Sequence, residues 1–128
     1  MMEKKLWGAL AAVGCMFAMA GSAVAHHAGA NYDREHLITL SGTVTEFIFT
    51  NPHTQIVFEV KGADGTVVKW VGVGDPPQRL YKVGWTKTSV KPGDQITVVG
   101  GPRVDGSKEL DIRDDQLTVN GKKLSQKD

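Results

Sequence analysis

From Leu37 onward, apolar and polar residues alternate with the two-residue period of a β-strand. Ile38, Leu40, Val44 and Ile48 share one parity, while Phe47 and Phe49 fall on the other. The spacing predicts one long strand over Leu37 to Phe49, with Gly42 as the point where it bends or bulges. Thr50-Asn51-Pro52-His53 reads as a turn, because Pro cannot donate to a ladder and Asn tolerates turn geometry. A second strand follows over Thr54 to Val60, with Ile56, Phe58 and Val60 opposed to Gln55, Val57 and Glu59. Lys61-Gly62-Ala63-Asp64-Gly65 closes it, and its Asp-Gly is a hairpin signal leading to a third strand over Thr66 to Val73.

At Gly74-Asp75-Pro76-Pro77 the strand pattern stops. Pro76 to Gly84 predicts a short helix, with Asp75 as its cap, prolines in its first turn and Gly84 as its stop. Lys91-Pro92-Gly93-Asp94 is a tight turn into a fourth strand over Gln95 to Val99, and Gly100 to Ser107 is a polar loop. A fifth strand is expected over Glu109 to Val119, ended by Asn120-Gly121. Three strands, a short helix, then two strands is the order of an OB-type barrel, whose helix plugs the barrel between strands three and four. The expected class is therefore all-β, a small OB-like five-stranded barrel. A small β-sandwich shares the strand spacing but has no need of the helix.

Upstream the character changes. A basic start at Met1 to Lys5 precedes an apolar stretch from Leu6 to Met19, and small residues follow, ending Ala23-Val24-Ala25. This is the layout of a secretory leader cleaved after Ala25. An uncleaved anchor is the alternative, but Gly8 and Gly14 interrupt the stretch, which falls short of the roughly 20 residues of a spanning helix. A lipoprotein at Cys15 lacks the Leu expected three positions ahead. The expected organisation is 1–25 leader, 26–36 an extended arm, 37–121 barrel and 122–128 a polar tail.

Composition narrows the function classes. The chain has 128 residues and one Cys, with 15 Lys and Arg against 14 Asp and Glu. Cleavage after Ala25 removes that Cys and leaves a charge-balanced domain, which excludes disulfides, thiolate catalysis and Cys-type zinc sites. A balanced charge gives no long-range field towards a polyanion, so general nucleic-acid binding is disfavoured.

Five landmarks occur in order: a His-His start behind the Ala-x-Ala site, Gly42-Thr43-Val44-Thr45-Glu46, Asn51-Pro52-His53, Gly84-Trp85-Thr86 and Lys91-Pro92-Gly93-Asp94. With these the chain resembles the domain-of-unknown-function family DUF6152, a family of small exported bacterial proteins. The resemblance implies export and a small β-rich domain, and carries no activity or catalytic residue. The start reads His26-His27-Ala28 where the family often has Ser third, which leaves the two histidines' chemistry unchanged.

Cleavage at Ala25 would put a free α-amino group and an imidazole on His26, with His27 behind. An amine and a ring nitrogen on one residue chelate Cu(II), and nitrogen donors with the Irving–Williams order favour that ion. A plain polar terminus fits the same residues. His53, in the loop between strands one and two, is the candidate to complete a copper site, and the alternative for it is an ordinary turn histidine. His36, just before the first strand, reads as solvated. Trp70, Trp85 and Arg103 are the candidate ligand-binding residues of the barrel rim, with core or rim packing as the competing role for both tryptophans.

Enzyme signatures are missing from the sequence. None of Ser41, Ser89, Ser107 and Ser125 sits in a nucleophile elbow, and there is no phosphate loop or His-Glu-x-x-His. Asp114 and Asp115 are adjacent, so on a strand they would point to opposite faces. The expectation is an exported, periplasmic or secreted, non-catalytic binding module. Its ligand is either copper at His26 or a periplasmic protein or small ligand at the barrel face.

Overall fold

The computed structural model describes residues 31–124. Its elements in chain order are β1 (Ile38–Ile48), β2 (Gln55–Lys61), β3 (Val67–Val73), α1 (Pro77–Lys82), β4 (Gln95–Pro102), β5 (Glu109–Ile112), a 3₁₀ turn at Asp114–Gln116, β6 (Thr118–Val119) and β7 (Lys122–Lys123). The ladder order β1-β2-β3-β5-β4 closes on itself because β1 also pairs with β4. All these pairings are antiparallel except β3 with β5, which run parallel. This is a closed five-stranded barrel of OB-like order, with α1 between β3 and β4 as the pattern predicts. No helix among the described residues is long and apolar enough to cross a membrane.

Alternation explains the interior. Ile56, Phe58, Leu80, Ile96, Val98 and Leu110 are buried, and Trp85 from the segment after α1 joins them. The helix is held at its C-terminal end by Gly84, in the left-handed region at φ +96, with the Trp85 N–H donating to the Leu80 carbonyl at 3.0 Å. Those bonds turn the chain under the barrel and deliver Trp85 into the core. Asp75 does not cap the helix; Pro76 is the cap residue, and Asp75 pairs with Arg79 at 3.5 Å.

The strands differ from expectation at two places. In β1 the register slips between Val44 and Glu46, so the bulge is at Thr45 and not at Gly42. Gly42 is needed for close approach: a Cβ there would stand 2.3 Å from the Glu59 carbonyl oxygen. The expected fifth strand is split. β5 and β6 both pair antiparallel with β4, but the turn at Asp114–Gln116 interrupts them, so Asp114 and Asp115 lie on a turn rather than a strand. Pairing also continues past position 121, because Asn120 and Gly121, at φ 48 and 81, form a two-residue hairpin joining β6 to β7.

Candidate functional site

Three surfaces of the barrel carry the chemistry. The first is the arm and its seat. Asn31 to Arg34 run beside the end of β4, where Tyr32 forms a bridge with Arg103. The Asp33 N–H donates to the Pro102 carbonyl at 2.8 Å and the Val104 N–H donates to the Asn31 carbonyl at 2.9 Å. The Tyr32 hydroxyl donates to the Glu109 carboxylate, which also takes Arg103 Nη1 at 3.3 Å, and the Arg103 guanidinium stands over the Tyr32 ring at 5.6 Å. Burial pushes the Tyr32 hydroxyl up to about 12, and the Glu109 hydrogen bond and charge push the same way. Arg34 pairs with Asp111 at 2.7 Å. Arg103 is thus a half-buried member of this polar lock rather than a free rim cation.

The second surface is the loop between β1 and β2. His53 is exposed there, two residues after Asn51, whose bond to Pro52 is cis. Nearby, Phe49 meets Phe47 with ring centroids 5.5 Å apart and Tyr81 of α1 edge-on at 5.0 Å. His53 follows the last residue of β1, whereas the arm precedes its first. The histidine loop and the arm therefore enter the barrel at opposite ends of its longest strand. His26 and His27 lie outside the described residues. Among the described residues no three His, Cys, Asp or Glu side chains are grouped to hold a metal ion. His36 is exposed and faces the Asp33 carboxylate at 2.9 Å.

The third surface is the outer wall of β1, β2 and β3. Outward register rows place Ile48 beside Gln55 and Val73, and Glu46 beside Val57 and Val71. Val57 is 6% exposed yet lies on the outward parity of β2, between Glu46 and Val71 in its row, with half-buried Ile48 and Val73 in the next. Glu46, Glu59, Lys69, Glu109 and Asp111 surround this apolar strip. Its signal was present in the sequence as valines at both parities of β2 and β3, because a strand apolar on one face only would alternate cleanly.

The tryptophans separate. Trp70 pairs across with Phe58, inward, and packs half-buried against the core, with the Lys108 ammonium 5.1 Å from its ring centroid. Trp85 is 1% exposed in the core, so it offers no face to a ligand: its candidate ligand-binding role is corrected, and core packing is the role it takes. Its burial follows from the helix stop, which turns the chain inward at that residue.

Comparison with known proteins completes the description. No curated protein matches the chain. Among solved structures, the chain is similar to a crystal structure of a mitochondrial single-stranded DNA binding protein from S. cerevisiae, at 13% identity and a TM-score of 0.48, covering 68% of this chain and 96% of that one. The model of the family of unknown function DUF6152 matches residues 13–110, from the N-terminal apolar stretch to the start of β5. That match spans most of the chain, which belongs to the DUF6152 family.

Proposed function

We propose that this chain is an exported, non-catalytic binding module whose processed N-terminus, His26 with His27, takes up Cu(II). The observation that carries this reading is the His-His pair directly behind an Ala-x-Ala site. Copper needs a deprotonated amine, and an α-amino group with a pKa near 7.7–8.0 gives it up at little cost at neutral pH. His53, at the opposite end of β1, is not required for the chelate. The test is intact mass of the exported protein followed by Cu(II) titration beside a His26→Ala variant. A mass beginning at His26 and one tight equivalent lost in the variant are the expected results. A different start, or equal weak binding by both, ends the copper reading.

A second reading is favoured by the apolar strip on the outer wall. We infer that the outer wall carrying Ile48, Val71 and Val73 docks a protein, since these outward-facing apolar side chains are only half-covered and stand within a rim of charged groups. Outward positions of β2 and β3 carry valines and mixed charges, whereas single-stranded nucleic acid needs an aromatic platform in a basic groove. A partner bound through this wall is lost with Val71→Lys and kept with His26→Ala. Binding at the N-terminus gives the opposite pair of results.

A further inference from the structure

The arm and β1 lie along the same edge of β4, in different registers. Tyr32 is opposite Arg103 and Ile38 opposite Gly100, so six steps of chain cover three on β4 and three residues loop out. The linking residues, Glu35 to Leu37, are exposed and belong to no ladder. Asp33 holds this link in shape: its Oδ1 accepts the Glu35 N–H at 3.1 Å and the His36 N–H at 3.0 Å, while its Oδ2 meets His36 Nδ1 at 2.9 Å. The contacts that seat the arm are all made to groups far along the chain: the Pro102 carbonyl, the Val104 N–H, Glu109 and Asp111. Seat and arm meet very closely, since a Cβ on Gly101 would stand 2.5 Å from the Asp33 carbonyl oxygen.

A short element of this kind, on an exposed hinge and held only by a distant part of the chain, can be replaced by the same element of a second copy with every contact kept. We propose that Tyr32 to Arg34 form an exchangeable strap, and that the seat made by Pro102, Val104, Glu109 and Asp111 accepts the strap of a second copy of this chain. The closed monomer and the strap-exchanged dimer then carry the same bonds, and protein concentration sets their ratio. The Asp33 clasp favours the closed form, because it bends the hinge back onto its own barrel.

The test mixes two single-thiol proteins in a Cys15→Ser background, one carrying Arg34→Cys and the other Asp111→Cys, and adds a short bismaleimide after incubation. A Lys61→Cys protein in place of Asp111→Cys measures chance collision, since Lys61 ends β2 away from the seat. The expected result is a cross-linked heterodimer well above that background, forming at least tenfold faster when Asp33→Ala is added to the Arg34→Cys chain. The double variant, carrying both thiols on one chain at high dilution, cross-links internally. Heterodimer at the background level, with the double variant closing normally, shows that the strap never leaves its own barrel and overturns the proposal. A double variant that does not close overturns it as well, because the strap is then not seated. A rate unchanged by Asp33→Ala overturns the role of the clasp.

Discussion

The barrel interior and the strap outside it are held by opposite kinds of physics. Inside, Trp85, Phe58, Leu80 and Leu110 are almost wholly removed from water and their stabilisation scales with area. Outside, Tyr32 and Arg34 are fixed by two polar contacts to groups 77 residues away, and one of these, the Arg34 to Asp111 pair, is substantially exposed. Exposed pairs are worth about 0–1 kcal/mol each, while a buried large side chain is worth several times that. The contrast predicts separate stabilities for the two, the barrel unfolding as a whole and the strap opening while the barrel stays closed.

The largest expected effect is on the interior. Trp85→Ala removes the largest fully buried side chain and should cost about 3–5 kcal/mol, read as a lower urea midpoint. A midpoint unmoved by this change would place Trp85 outside the cooperative core.

The sharpest contrast comes from one steric insult made twice. Gly42→Ala drives a methyl into the Glu59 backbone inside the β1–β2 ladder, where neither strand can leave, and should cost about 3 kcal/mol of global stability. Gly101→Ala drives the same group into the Asp33 backbone, which the hinge allows to swing away. Its cost is therefore limited to the strap's own contacts. Amide exchange should show residues 31–36 losing protection in Gly101→Ala while β1 to β3 keep theirs. Equal global losses in the two variants would join strap and barrel into one unit.

Two smaller effects refine each side. The Thr54 hydroxyl is fully buried with no hydrogen-bond partner among the described residues, so Thr54→Val should stabilise the barrel by about 1 kcal/mol in urea unfolding. On the strap side, the His36 backbone N–H, then the His36 side chain, hold the Asp33 carboxyl below the usual carboxylate range. The folded value is below the unfolded one, so the clasp is present at neutral pH and is lost as pH falls from about 4 through that lower value. The amide signals of Glu35 and His36 should move together over this range, and signals that do not titrate there would remove Asp33 from the clasp.

How much of this could be read from the sequence follows from the same division. The parity of Ile56, Phe58 and Val60 against Gln55 and Glu59, the Asp64-Gly65 and Pro92-Gly93 turns and the Pro76-to-Gly84 helix are local signals, and they lead to the closed barrel. The interruption at Asp114–Gln116 had a signal that was passed over: Arg113 to Gln116 are four polar residues in a row, and Leu117 and Val119 fall on the opposite parity from Leu110 and Ile112. The Tyr32 lock was not legible, since nothing local links position 32 with position 109. Trp85 was legible as two alternatives, an aromatic that stacks a ligand or one that packs beside the helix stop, and the turn of the chain put it in the core. Of the copper residues, His26 and His27 fall outside the described residues and His53 stands alone at the far end of β1, so that chemistry depends on the N-terminus itself.

The position of β5 bears on the order in which the molecule can assemble. β1 to β3 form consecutive hairpins, but the wall stays open until Glu109–Ile112 slides between β3 and β4, pairing parallel with one and antiparallel with the other. A chain growing from its N-terminus therefore remains an unsealed sheet until Ile112 has been made. The same late arrival supplies Glu109 and Asp111, so the strap has no seat before the barrel has a wall. Closure rests on contacts distant in sequence, which places this domain among the slower folders of its size.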